Sequence, residues 1–180
     1  MNQSRMAAGF AAAAVAALGV VATTTPAAAS QTSLVISGTS TVQYHCVEPP
    51  YPDADTTLDV TFTAPAVAHK GTNFTVTAKV KATAGIPIDV PANGTTASVG
   101  VVLSGSQSGT VTATGLTNTA VVPAGQLLTL TGGSATVSPT RVGVLLFTPG
   151  GFESTNWLGQ HLVCTPITPP SVASLSIVVS

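Results

Sequence analysis

Two cysteines, three histidines and six carboxylates are the groups in this chain that could do chemistry. Cys46 and Cys164 are 118 positions apart. Two thiols supply too few ligands for a zinc site, but in an oxidising compartment they pair. A bridge closing so long a loop is worth roughly 4.7 kcal/mol in the chain-entropy model. His45 adjoins Cys46, and His161 precedes Cys164 by three positions. Side chains alternate across a strand, so both imidazoles face away from the sulfurs. If the bridge joins neighbouring strands of one sheet, the two histidines share an outer face and could hold a metal together. If it joins two sheets, they point to opposite sides. Even the first arrangement gives two ligands where catalytic zinc usually takes three, so the expectation is two solvent-facing strand histidines and no metal or cofactor.

Asp53-Ala54-Asp55, with Glu48 nearby, is the densest acidic stretch. A D-x-D pair can begin an extracellular calcium site, but the remainder of an EF-hand loop is missing. A solvated loop stiffened by Pro49, Pro50 and Pro52 is the simpler account. The same two aspartates lie too close in sequence to flank a scissile sugar bond. No G-x-S-x-G, S-x-x-K or H-E-x-x-H pattern occurs, so no catalysis is expected. The alternative is a small secreted hydrolase whose site the sequence does not display.

The most informative loop runs over 148–160 and contains Phe152, Asn156 and the only tryptophan, Trp157. With Tyr51 from the Pro-rich stretch, these are the candidate contacts for a ligand or partner. Exposed aromatics and amides suit sugar stacking or protein docking. Alternatively, Phe152 and Trp157 fold back to plug the end of the fold, as large residues in long loops usually do.

Strands must position these groups. Leu58, Val60, Phe62 and Ala64 alternate with polar neighbours, and so do Phe74, Val76, Ala78, Val80 and Ala82. A period of two marks half-buried strands. Further strands are expected at 34–36, 42–46, 97–103, 110–114, 127–131, 135–137, 142–147, 162–164 and 172–179, and no helix after residue 30. Turn formers separate them, notably Pro91-Ala92-Asn93-Gly94, Gly132-Gly133 and Pro149-Gly150-Gly151. The pattern predicts an all-β, antiparallel β-sandwich, with 65–71 as a crossover between its sheets. Its architecture would be immunoglobulin-like without immunoglobulin ancestry, because Tyr44 precedes the first cysteine and Trp157 sits beside the second.

Arg5, an Ala-rich apolar run and Ala27-Ala28-Ala29 form a signal peptide, 1–29, cleaved after Ala29. The run falls just short of the roughly 18 apolar residues a membrane span needs, so no span is expected after cleavage. The remaining domain, 30–180, carries Lys70, Lys79, Lys81 and Arg141 against six carboxylates, a net charge of −2. Four scattered cations cannot neutralise a run of phosphates, which argues against nucleic acid as a partner. Charged residues make up 6% of the chain, about a quarter of the usual share. The surface must instead be neutral and hydroxyl-rich. The expected setting is extracellular or in the cell wall, with a cell-wall polymer or another extracellular protein as partner.

The Ala-rich leader, Tyr44-His45-Cys46, the 65–71 crossover and Leu162-Val163-Cys164 together resemble a family of uncharacterised secreted actinobacterial proteins. The resemblance spans nearly the whole domain. It implies a β-sandwich and a Cys46–Cys164 bridge, and it implies no activity.

Overall fold

The computed structural model describes residues 34–168 and 174–180; the expected leader and its cleavage site lie outside them. Regular structure among the described residues is strand throughout, as the period-two alternation predicts. In chain order the strands are β1 (Val35–Val47), β2 (Ala54–Pro65), β3 (Val67–Ala68), β4 (Phe74–Gly85), β5 (Thr95–Gly105), β6 (Gly109–Thr117), β7 (Leu127–Val137), β8 (Gly143–Asn156), β9 (His161–Pro166) and β10 (Leu175–Val179). Their hydrogen bonds form one continuous sheet, ordered β3-β10-β8-β5-β6-β7-β4-β2-β1-β9. Every pairing is antiparallel except β3 with β10.

One strand closes that order on itself. Along one edge β8 pairs with β5; along the other it pairs first with β10 and then, at Phe152 to Thr155, with β9. Since β9 also pairs with β1, the strands from β8 round to β9 form a ring. The 65–71 segment is not a crossover. It joins β2 and β4, which are antiparallel neighbours, and it sends out β3 to cap β10 on the way.

Burial follows the alternation. On β2, Leu58, Val60, Phe62 and Ala64 point inward, as do Val76, Ala78 and Val80 on β4, and one contiguous core unites residues from both with those of β5 to β10. Outward positions are held mostly by hydroxyls, with few charges among them. On the β1–β2 pair, Ser37 bonds Thr63 at 2.6 Å, Thr39 bonds Thr61 at 2.8 Å, and Thr41 donates to Asp59 at 2.6 Å. Cross-strand hydroxyl pairs of this kind add a few tenths of a kcal/mol each.

Glycines at three places lie inside strands, two of them, Gly132 and Gly150-Gly151, in stretches where the sequence predicts turns. Gly115 on β6 and Gly132 on β7 both adopt φ of 86°, and each is the extra residue where its ladder slips. The third is in β8, where Gly150-Gly151 opposes Gly100 alone between the Val99–Phe152 and Val101–Pro149 pairs. That is a β-bulge, and it takes the Gly150 carbonyl out of the ladder. The buried Tyr44 hydroxyl donates to that carbonyl at 2.9 Å. Burial pushes the Tyr44 phenol far above its ordinary pKa, so the donor stays protonated.

Candidate functional site

The bridge is present. Cys46 on β1 and Cys164 on β9 stand directly opposite each other, 4.0 Å apart at Cα, and are joined through their sulfurs. Both are buried, on the same side as Val42 and Tyr44, while His45 and His161 are exposed, as strand parity requires. The bridge joins neighbouring strands, so the histidines do share an outer face. However, His45 pairs with Thr165, four residues along β9 from His161, which puts them about 13 Å apart at 3.3 Å per residue. No metal can span that distance.

His45 has partners of another kind. The β1–β2 register sets it opposite Asp55, and its Nδ1 lies 2.9 Å from Asp55 Oδ1. Its Nε2 lies 3.6 Å from Asp53. The hydrogen bond to Asp55, helped by both negative charges, raises the His45 pKa above its ordinary value. The acidic stretch is thus an imidazole clamp on the outer surface. The sequence holds its signal only once 42–46 and 54–64 are aligned as a hairpin.

The candidate contact residues converge at one end of the ring. The 148–160 segment is not a long loop: β8 continues to Asn156, and only a short turn precedes β9. Phe152 is therefore a core residue, 5% exposed, in the wall of an apolar chamber of about 240 Å³. Leu58, Val80, Leu130 and the disulfide line the same chamber. Above it lies a wider space of about 480 Å³, lined by Tyr51, Asn156 and Trp157 together with Ile86, Ile88 and Gln160. The two share Thr95, Leu128, Ser154 and Leu162 as common walls. Tyr51 is 54% exposed and Trp157 39%, so both stand at the opening rather than in the core.

Local backbone chemistry explains why this end stays open. β6 leaves the ring at Thr117, its last pairing with both β5 and β7. Past that point β5 and β7 have no strand between them, and Thr95 and Leu128 face the gap. A register shift between Lys81 and Gly85 loosens the β4–β7 wall as well.

Loops then frame the opening firmly. Asn118 is buried; its Oδ1 accepts from the Thr95 N–H at 2.9 Å, and its amide donates to the Pro91 and Ala120 carbonyls at 2.6 and 3.0 Å. A bridge between Val90 and Val122 ties the same two loops together. On the facing side Asn156 Oδ1 accepts from the N–H groups of Leu158 and Gln160, and its amide donates to Gln160 at 2.6 Å. Gln160 in turn donates to the Tyr51 hydroxyl at 2.8 Å. Asn156 thus shapes the turn and aims Gln160, which sequence reasoning missed. Ile86 and Ile88 were missed too, for the connection 86–94 carries no signal beyond its prolines and Asn93-Gly94.

Among the described residues lining either space, Glu48 is the one carboxylate and no lysine, arginine or histidine appears. A deep apolar floor, an aromatic and amide rim and almost no charge are features suited to contact and stacking rather than to charge recognition. Comparison of the chain with protein-family profiles, with curated proteins and with solved structures finds no significant match.

Proposed function

We propose that the chain is an exported, non-catalytic binding protein of the cell envelope or extracellular space, gripping a neutral glycan at the open end of its ring. The observation that carries this is the meeting of Tyr51, Trp157 and Gln160 from two loops over one aperture. Sugars stack on aromatic faces and accept or donate hydrogen bonds to amides, and neither interaction needs a charge. The disulfide suits an oxidising, extracellular setting. The reading takes the ring as flattened into two packed layers, an immunoglobulin-like sandwich in architecture. In support, the Phe74 and Phe147 rings, on strands far apart in the sheet order, meet edge to face with centroids 6.4 Å apart.

A hydrolase would need paired titratable groups in the aperture, whereas the imidazole–carboxylate cluster sits on the outer face. Titration with soluble neutral oligosaccharides tests the binding reading through the emission of Trp157. Binding should shift it, and Trp157→Ala should weaken binding by about 1–3 kcal/mol, the scale of an aromatic anchor. The melting temperature should barely move. A large loss of stability would make Trp157 a structural plug, and product formation from the oligosaccharide would make the protein an enzyme.

A further inference from the structure

We propose that the ligand of this opening is a neutral glycolipid-like amphiphile, whose single apolar chain enters the inner chamber while its hydroxylated head stays at the rim. This rests on the binding reading above and names the ligand class. The floor of the inner chamber is apolar and offers no partners to ordered water, which needs two to four. Its floor is Leu58, Val80, Leu130 and Phe152 beside the disulfide, and of its three hydroxyl residues, Thr56, Thr95 and Ser154, the last two also line the outer space. Apolar surfaces of this kind favour apolar guests over water. A flat sugar polymer would leave the chamber empty; a flexible chain fills it.

The head group follows from the rim. Glu48 is the only charge among the described residues there, so a carboxylate or phosphate head would meet a like charge and no cation among them. The Tyr51 hydroxyl accepts from Gln160, which leaves its own O–H to donate to a ligand hydroxyl. Trp157 offers the stacking face. Head and chain sites share walls, so one molecule can occupy both at once.

The test uses hexyl, octyl and decyl glucosides below their micelle thresholds, decanoate, decylammonium and a soluble neutral oligosaccharide, all against the disulfide-intact protein by calorimetry. Affinity for the glucosides should rise about threefold or more per added methylene, as burial of each CH2 predicts. Decanoate at neutral pH should bind at least tenfold more weakly than decyl glucoside. Ala82→Leu, which grows into the chamber opposite Leu58, should cut decyl glucoside affinity toward that of the hexyl compound. The chain-length series on the unaltered protein stands even if that variant fails to fold. A flat series with oligosaccharide still bound would overturn the chain assignment and leave the glycan reading intact. Equal or tighter binding of decanoate or decylammonium would overturn the neutral head. No binding by glucoside or oligosaccharide would sink both readings.

Discussion

The two ends of the ring solve the same packing problem differently. At one end β10 lies against β8 and fills the interior with Leu175, Ile177 and Val179, while Phe74 and Phe147 meet edge to face. At the other end β9 takes β10's place beside β8, β6 has already left, and the interior is a chamber. Both ends have the same alternation of inward apolar and outward polar residues. What differs is the supply of strands and large rings. Two rings meet inside the filled end, whereas Phe152 is the one ring in the chamber wall, beside smaller Leu, Val, Ala and Thr side chains. A core position thus has two possible duties, and only its neighbours across the ring decide which.

The largest effect should come from breaking the filled end. Phe147→Ala removes a ring that is fully buried, and should cost about 3–5 kcal/mol in chemical denaturation. Leu128→Ala at the hollow end, where the side chain is half-buried and already faces empty space, should cost well under half as much. Equal losses would mean that the two ends are packed alike. An intermediate effect tests the seam between them. Tyr44→Phe leaves the Gly150 carbonyl of the bulge buried without its donor and should cost about 1–3 kcal/mol. A neutral outcome would show that the bulge finds water or relaxes.

The smallest effect lies outside the ring. Because the folded His45 has a raised pKa, its protonated form adds stability that is fully present below its ordinary value near 6.5. That contribution is lost as pH rises through the folded value. Thermal melts from pH 6 to 8 should show a slight decline that His45→Gln abolishes. A decline that persists in the variant would place the titration elsewhere.

Much of this was legible in the residues. Alternation named the inward faces of β2 and β4 correctly, and parity oriented Cys46, Cys164 and both exposed histidines without any coordinates. Gly132 and Gly150 resisted because a glycine looks the same in a turn as in a bulge, and only the partner strand tells them apart. Sequence alone places Phe152 in a loop for that reason, since Pro149-Gly150-Gly151 reads as the end of the strand before it. The clamp on His45 needed a register, and the chamber needed more. Leu58, Val80, Leu130 and Phe152 come from four strands, and a void between them leaves no trace in any local stretch.

Ring closure carries one more consequence, for how the protein behaves in company. A chain with 6% charged residues and a mean hydropathy of +0.49 has little like-charge repulsion to keep its copies apart. Open sheet edges on such a chain would recruit further strands from other copies. Here β9 is bonded on both sides, by β1 and by β8, and the other end of the strand order is β3, two residues long. Solubility at high concentration is therefore expected to owe more to these protected ends of the strand order than to charge. It should persist in concentrated salt, since nothing that maintains it can be screened.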